Sequence, residues 1–373
     1  MPSLLFILFL VLMDGLLVLS FAFVPYVTRK TELFGVSVPS SEIDRPELAA
    51  LRASYRNQML VAGAALTVIS IAIAALLPEW SNASLFIWLG AVVAYLLVTL
   101  VLYMPKHKTM KQLKAAQLWD TTPQKVIVTA STTPASQDTV SPAWLLLFPL
   151  VIALGLVALL AIWPRIPDPV PMQYDLSGQV VRAVAKGPRA FLLLPTIETF
   201  TALMFAAVFM FVRSAKRQID AARPVESLQQ DRRYRYLTSI LLLAIGLLTI
   251  LFMQSMQVIL FLGVSDMLPL VIGLFVFMAL LIALVAVLMF RVGQGGSRLS
   301  VRDTPPTTAA NYDDDRFWKL GLFYVNPDDP AIFVEKRFGL GWTNNLARPA
   351  TWVIITGFVL ATVAFLVLIM SLV

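Results

Sequence analysis

Eight apolar stretches alternate along this chain with segments that hold almost all of its basic residues. The stretches are residues 2–27, 58–78, 82–104, 143–163, 190–213, 237–257, 267–290 and 350–373. Each has roughly the 20 residues that an α-helix needs to cross the hydrocarbon core of a bilayer. Of the 29 Lys and Arg, all but Arg165, Arg182, Lys186 and Arg189 lie in segments 28–57, 105–142, 213–236 and 291–349. Because cytoplasmic loops carry the excess of Lys and Arg, this alternation predicts that the N-terminus and the C-terminus are both outside.

The composition agrees with lipid as the main solvent of the chain. Hydrophobic residues make up 58% of the sequence and charged residues only 14%, whereas a soluble domain is about a quarter charged. We predict an all-α integral membrane protein, a bundle of about eight transmembrane helices with a small cytoplasmic β-hairpin element before the last helix. The net charge of +7 lies in short loops beside the spans, where it suits an anionic lipid surface. The expected partner is therefore the lipid bilayer, and no nucleic acid is expected.

The spans divide the chain into six predicted units. They are an N-terminal half with four helices (1–163), a Pro-rich outer loop (164–189), helices five to seven (190–290), a flexible linker (291–310), a cytoplasmic hairpin domain (311–349) and the last helix (350–373). Basic and aromatic residues cluster before the second and the sixth span, at 52–56 and 232–235. Two repeated halves or independent interface anchors would both account for these clusters, and the sequence leaves the choice open.

The outer loop carries the first distinctive motif. Prolines at positions 164, 167, 169 and 171 forbid a helix and favour extended chain. A turn signal, Asp175-Leu-Ser-Gly178, follows. The loop resembles the extracellular-loop domain of unknown function (family 1648) of SdpI-like bacterial membrane proteins, and the matching residues are Ile166, Pro167, Pro171, Tyr174, Asp175 and Gly178. Gln173 stands where that family has a histidine, so a role that needs an imidazole is not expected here.

The second motif precedes the last span and runs from Phe317 to Pro349. Residues 322–325 and 332–336 are β-prone runs, and the segment 326–330 between them is rich in turn formers. The simplest interpretation is one β-hairpin in which these two runs pair across a long loop. The stretch closely resembles a second domain of unknown function (family 5808) that often lies at the C-terminus of SdpI-like proteins.

These two resemblances imply a role near SdpI-like proteins, which give immunity to secreted toxic peptides and relay signals to a transcriptional repressor. We expect an extracellular peptide to meet Pro167, Pro171, Gln173, Tyr174, Asp175 and Gly178. We expect a cytoplasmic regulator to meet Trp318, Tyr324, Asn326, Asp328, Asp329, Lys336, Arg337 and Trp342. For the three aromatic residues of this set, anchoring at the membrane interface is the alternative. The aspartates at 313–315, 328 and 329 are expected to form turns and ion pairs, because they lack the ligand spacing of a calcium site.

Two acidic residues, Asp14 and Glu198, lie within predicted spans. An ionisable group at bilayer depth costs several kcal/mol, on the order of 3 or more, unless it is paired, hydrated or protonated. A proton or cation contact and a neutral hydrogen bond between helices are both open for Asp14. For Glu198, the alternatives are a transport site and an interhelical hydrogen bond, with Gln254 and Gln257 as possible neighbours.

The sequence argues against an enzyme. His107 is the only histidine and there is no cysteine, which excludes a zinc site built on two histidines or on thiolates. No Gly-rich phosphate loop of the Walker type occurs, so we expect neither a cofactor nor a metal. The favoured function is sensing of, or immunity to, an extracellular toxic peptide or envelope stress. The alternatives are a proton- or cation-coupled permease and an accessory membrane subunit of a transporter.

Overall fold

The computed structural model of the protein describes residues 4–76, 82–119, 138–174, 179–220, 223–263, 268–300 and 315–372. Nine helices occur in this part of the chain: α1 Leu4–Ala22, α2 Val24–Val27, α3 Pro46–Ala75, α4 Asn82–Ala116, α5 Leu147–Ile162, α6 Pro188–Ser214, α7 Pro224–Leu262, α8 Leu268–Arg291 and α9 Pro349–Leu372. Eight short strands accompany them: β1 Glu32–Leu33, β2 Val36–Ser37, β3 Val170–Tyr174, β4 Val180–Val184, β5 Trp318–Lys319, β6 Phe323–Tyr324, β7 Phe333–Glu335 and β8 Trp342–Asn344.

Seven of the described helices, α3 to α9, are long and apolar enough to cross a membrane. The N-terminal helix adds a shorter apolar stretch, Leu10–Ala22. Exposed Leu, Val, Ile and Phe side chains cover the outer faces of these helices, which is stable only where lipid replaces water. The prediction of an all-α membrane protein with small hairpins is confirmed.

Three helices extend well beyond their predicted spans at one end. The helix α3 begins at Pro46, α4 ends at Ala116, and α7 begins at Pro224. Prolines suit the first turn of a helix, where their missing N–H group has no intrahelical acceptor. The segments 28–57, 105–142 and 213–236 between the predicted spans are therefore partly helical. We call the end of the bundle that carries these extensions the basic end.

The helices pack in two groups. The first group is α1, α3 and α4, and the second is α5, α6 and α7, with α8 against α7 and α9 against α6. A Cβ atom on Gly63 of α3 would lie 2.4 Å from Val18 of α1, so glycine permits the close approach of these two helices. Although the sequence predicts α5 as part of the N-terminal half, it packs with the later helices. A buried cluster built on Phe148, Phe209 and Ile250 joins α5, α6 and α7.

Three hairpins gather at the basic end, and the pairing predicted for 322–325 with 332–336 is wrong. Instead, β5 pairs with β6 and β7 pairs with β8, both antiparallel. The cause is local: Leu320 and Gly321 both have positive φ, and with Leu322 they form a tight three-residue turn between β5 and β6. A single parallel bridge, Tyr324 to Asn345, links the two hairpins.

The hairpin β1–β2 turns through Phe34 and Gly35, which also have positive φ. A Cβ on Gly35 would lie 2.5 Å from the Cα of Gly321, so the two turns touch. The hydroxyl of Tyr103 on α4 donates to the carbonyl of Phe34 (3.0 Å) or of Leu320 (2.8 Å), both of which it faces. The turns of β1–β2 and β5–β6, which are far apart in the sequence, therefore both contact α4.

Candidate functional site

The opposite end of the bundle carries the hairpin β3–β4, which is fastened to α7. Val170 and Ile166 are buried with Leu159, Ala190 and Phe261 at this end of α5, α6 and α7. The hydroxyl of Tyr174 donates a hydrogen bond of 2.6 Å to the carbonyl of Leu260 in the last turn of α7. That carbonyl lies at the C-terminal end of the helix, where it also accepts from the backbone N–H of Gly263 at 3.3 Å. The hairpin is therefore held by packing on one face and by a polar contact to α7.

Lys186 closes the base of this hairpin. Its ammonium group donates to the carbonyl of Ile166 at 2.6 Å and lies 5.6 Å from the ring centroid of Trp163. Its backbone N–H donates to Asp168 at 3.0 Å. Both ends of the loop are thus tied together beside the membrane.

The side chains that the hairpin exposes differ from those that hold it. Pro171 is buried and Tyr174 is half-buried, whereas Pro167 and Gln173 are exposed. The strand β4 is exposed over most of its length, and Val180 and Val181 keep 50% and 62% of their surfaces accessible. The predicted ligand residues Asp175 and Gly178 lie outside the described residues. An accessible strand with apolar side chains is a surface on which an extended peptide can add a strand.

Within the membrane, Glu198 of α6 is buried and faces α7. The side-chain amide of Gln254 donates to Glu198 at 3.1 Å and to the carbonyl of Val151 on α5 at 3.1 Å. A Cβ on Gly155 would lie 2.3 Å from this amide nitrogen, so glycine makes room for Gln254 between the helices. The contact joins α5, α6 and α7 and bears out Gln254 as a neighbour of Glu198.

Asp14 lies in the other group of helices. It is fully buried, and Ser70 of α3 and Tyr95 of α4 are its polar neighbours. Neither carboxyl oxygen has a hydrogen bond of normal geometry among the described residues. Because Glu198 lies among α5, α6 and α7, the structure places the two intramembrane acids in separate helix groups.

The end of α7 at the basic end buries a charged pair. Arg235 is fully buried and donates to Asp231, one turn earlier, at 2.9 and 3.1 Å. The same guanidinium donates to the carbonyl of Val212 at 2.8 Å and of Lys216 at 3.1 Å, where α6 ends. A cation at a helix C-terminus satisfies carbonyls that lack partners and complements the helix dipole. Arg235 therefore ties the ends of α6 and α7 to each other.

Beside this pair, Gln294 connects α7 to the hairpin β7–β8. The hydroxyl of Tyr234 contacts the Gln294 carbonyl oxygen at 3.2 Å, and the Gly341 N–H donates to that same oxygen at 2.8 Å. The Gln294 amide donates to the Gly341 carbonyl at 2.9 Å and to Glu335 at 3.3 Å. Residues Gln294–Gly296 form a buried 3₁₀ turn, so this part of the predicted flexible linker 291–310 is ordered. Residues 301–310 lie outside the described residues.

Glu335 is the most buried acid of the hairpins. Arg29 donates two hydrogen bonds to one of its oxygens, at 2.6 and 2.9 Å. Burial raises the pKa of Glu335 above that of an ordinary glutamate, and the attraction of Arg29 offsets this only in part. Burial would lower the pKa of Arg29, but the combined attraction of Glu335, Glu32 and Asp231, with the hydrogen bond to Glu335, outweighs burial and raises that pKa. The pair joins the segment after α2 to the C-terminal hairpins.

Asp329 organises the loop before β7. Burial alone would raise the pKa of its carboxyl. Hydrogen bonds from Lys216 (2.6 Å), Tyr324 (2.8 Å) and the Ala331 N–H (3.0 Å) outweigh this effect, so the pKa lies below its usual range. The side chain of Asn345 donates to the carbonyls of Asn326, Asp329 and Ala331. The turn chemistry predicted for 326–330 is thereby realised by side chains that cap the loop from within.

The residues predicted to face a cytoplasmic regulator divide by burial. Trp318, Tyr324, Asn326, Asp329 and Arg337 are buried, Trp342 is half-buried, and Asp328 and Lys336 are exposed. Arg337 lies 5.1 Å from the ring centroid of Trp318 and forms an ion pair with Asp315, which Lys114 also contacts at 2.6 Å. Trp342 packs on Tyr234 with ring centroids 5.6 Å apart. A role in partner binding stays a prediction, and most of this set stabilises the hairpins themselves.

Sequence reasoning missed Arg29, Gln294 and Tyr103 as structural centres. Nothing in their local sequence distinguishes them from ordinary juxtamembrane residues. By contrast, the i,i+4 spacing of Asp231 and Arg235 is a signal for an ion pair on one helix face.

In the part of the chain that the structure describes, no group of three or more His, Asp or Glu is placed to hold a metal ion. The expectations of no metal and no enzymatic activity stay predictions.

Comparison with known families matches two segments of the chain. A domain of unknown function, DUF1648, matches residues 150–199, which include most of α5, the hairpin β3–β4 and Glu198. A family of unknown function, DUF5808, matches residues 327–352, which include Asp329, β7 and β8. No curated protein and no solved structure matches the chain. The protein is therefore a multi-pass membrane protein that carries a DUF1648 domain at one end of its helix bundle and a DUF5808 segment at the other.

Proposed function

We propose that this protein is a non-enzymatic membrane sensor or immunity protein of the SdpI-like kind, which responds to an extracellular toxic peptide or to envelope stress. The observation that carries the proposal is the position of α7. This helix contacts β3–β4 through Leu260 near one end, and near the other end its Tyr234 packs on Trp342 of β8. With 39 residues, it extends about 58 Å at 1.5 Å per residue. One continuous element thus connects the two family-matched segments.

The proposed orientation places the basic end in the cytoplasm and β3–β4 outside. Within the described ranges, almost all Lys and Arg lie at the basic end, which is the arrangement that the positive-inside rule describes. With eight spans, counting α1, the N-terminus and the C-terminus are both outside. The cytoplasmic regulator would then approach the exposed residues of the hairpins, among them Asp328 and Lys336.

We place the peptide on β4 and Gln173 and not on the whole predicted set. Pro171 and Tyr174 are committed to holding the hairpin on α7, whereas Gln173, Val180 and Val181 are exposed. Addition of a strand to β4 would supply backbone hydrogen bonds, and the two valines would supply apolar contact. A displaced hairpin would pull on Leu260, and α7 would carry the change to Tyr234 and Gln294.

The test is a peptide-sensitivity assay in a host that the intact protein protects. The double variant Val180→Thr and Val181→Thr keeps side-chain shape and removes apolar surface, so protection should fall while membrane insertion is retained. Arg189→Ala is the control, because Arg189 is exposed near the hairpin but outside β4. Full protection by the double-threonine variant would remove β4 from the mechanism. Loss of protection by both variants would argue against a specific surface.

A permease is the second candidate, and Asp14 is the observation that favours it. A fully buried carboxyl without a well-formed hydrogen bond at bilayer depth is typical of a proton or cation path. Proton- or cation-dependent uptake into proteoliposomes that is abolished by Asp14→Asn would support this function. Equal uptake by protein-free liposomes would exclude it. Co-purification with a stable membrane partner would instead favour an accessory subunit of a transporter.

A further inference from the structure

A groove of about 560 Å³ lies at the basic end between α4 and the turn of β5–β6. One wall is the stretch of α4 from Val101 to Lys111, and the other wall is Leu320. The groove is open to the surroundings along the lipid-facing side of α4, where Leu97, Leu100 and Val101 are exposed. It is separate from the α7 contacts described above.

The α4 wall changes from apolar to basic within two helical turns. Val101, Pro105, Lys108 and Lys111 follow one another at spacings of four, three and three residues, which places them on one face of the helix. Val101 keeps 67% of its surface exposed. Lys108 lies about 10 Å further along the axis. The wall therefore passes from the depth of acyl chains to the depth of head groups.

No residue that the structure describes engages the two lysines of the groove. Their neighbours on α4 are engaged, because Lys106 donates to Ser54 at 2.8 Å and Lys114 to Asp315 at 2.6 Å. Lys108 and Lys111 are exposed and have no hydrogen bond or ion pair within the described ranges. No acidic side chain lines the groove. Two adjacent positive charges thus lack a compensating anion.

The opposite wall is held in an unfavourable conformation. Leu320 has a φ of 55° and leaves 47% of its surface exposed. A left-handed backbone is costly for a branched apolar residue, on the order of 1 kcal/mol or more. Tyr103 faces the Leu320 carbonyl at 2.8 Å and helps to hold the turn. The exposed side chain at this tip is available for contact with an acyl chain.

We propose that this groove binds an anionic phospholipid of the adjoining leaflet. The phosphate would lie between the ammonium groups of Lys108 and Lys111, which act as compact point charges. The first part of an acyl chain would lie between Val101 and Leu320. A lipid fits better than a soluble phosphate, because the walls are apolar and continue into the lipid-facing surface of α4. The lipid would fasten the β5–β6 turn to the membrane surface.

The test uses the full chain in mild detergent, with phosphatidylglycerol and phosphatidylcholine as the probes. Lipid adducts are counted by native mass spectrometry, and dissociation constants are taken from a titration. The double variant Lys108→Ala and Lys111→Ala should bind phosphatidylglycerol about 10- to 30-fold more weakly, since each lysine near a lipid surface contributes about a factor of five. The control, Lys30→Ala with Arg233→Ala, removes the same charge from two exposed basic residues and should bind like the parent.

A second variant separates a lipid from a free anion. Leu320→Ser leaves every charge in place, so it should weaken phosphatidylglycerol binding severalfold, and soluble glycerol phosphate should not compete. Competition by glycerol phosphate, or unchanged binding by Leu320→Ser, would reduce the groove to an ion site and overturn the lipid assignment. Equal phosphatidylglycerol binding by the parent and the Lys108/Lys111 variant would overturn the proposal as a whole.

Discussion

Arg29 and Glu335, which are 306 positions apart in the chain, meet in a buried ion pair at 2.6 Å. The Glu335 side chain is fully buried and that of Arg29 is 10% exposed. The pair lies beside Gln294, whose amide donates to Glu335. It makes the fold of the C-terminal hairpins dependent on the segment that follows the first helices.

Removal of one partner of the buried Arg29–Glu335 pair should lower the stability of the protein much more than removal of one partner of an exposed pair. Arg29→Ala leaves a buried carboxylate without its cation, which typically costs about 3–5 kcal/mol. Arg45→Ala removes an arginine whose pair with Glu42 is 25–30% exposed, and we expect a change of about 1 kcal/mol or less. Thermal unfolding of the purified variants in one detergent measures both. Similar loss in the two variants would show that the Arg29 pair contributes little.

The contact from Tyr174 to Leu260 should govern the mobility of β3–β4. Tyr174→Phe removes the hydroxyl and keeps the ring, so we expect a loss of about 1 kcal/mol in local stability. Hydrogen exchange of residues 170–184 should become faster, while exchange of the basic-end hairpins stays the same. Tyr236→Phe is the control, because Tyr236 is exposed at 49%. Unchanged exchange in β3–β4 would mean that packing alone holds the hairpin.

The addition of one methyl group at Gly155 should lower the stability of the protein. A Cβ there would lie 2.3 Å from the amide of Gln254, which must then leave Glu198. We expect Gly155→Ala to destabilise the protein by about 1–3 kcal/mol through overpacking. Gly357→Ala is the matched control, because nothing lies within 4 Å of its added Cβ, and alanine favours a helix by up to about 1 kcal/mol. Chemical unfolding of the two variants distinguishes these outcomes, and equal stability would contradict the role of Gly155.

The stability that Asp329 contributes should depend on pH with a definite sign. Its pKa is below the usual value in the folded protein, so the unfolded chain binds the proton more readily. The contribution is fully present above the unfolded pKa of about 3.9 and is lost as pH falls through the lower folded pKa. Asp329→Asn should therefore be less stable than the parent at neutral pH, and the difference should narrow below about pH 4. Asp328→Asn, at an exposed neighbour, should show little difference at either pH.

The absence of cysteine from the sequence makes the orientation directly testable. A cysteine at Val181 should react with an impermeant maleimide on intact cells, because Val181 is 62% exposed on the hairpin proposed to be outside. A cysteine at the exposed Lys336 should react only after the membrane is permeabilised. The reverse pattern would invert the proposed orientation, and the positions of peptide and regulator would change with it.

The sequence by itself determined the fold class, the order of most spans and the two motifs at opposite ends. Apolar length is a local property of the sequence, and in a bilayer an apolar stretch of about 20 residues forms a spanning helix. Turn chemistry was also readable, since Asn326 and Asp329 act within their own loop. Periodicity and composition need no knowledge of distant residues.

Only the tertiary structure decided which residues meet. The predicted pairing of 322–325 with 332–336 was wrong because the turn at Leu320 and Gly321 pairs β6 with the nearer strand β5. The sequence predicts a flexible linker around Gln294, Gly295 and Gly296. Long-range contacts instead bury these residues beside Glu335. Polar groups removed from water must find partners wherever the folded chain supplies them. In this protein the partner of Glu335 comes from the other end of the sequence, a distance that no local pattern encodes.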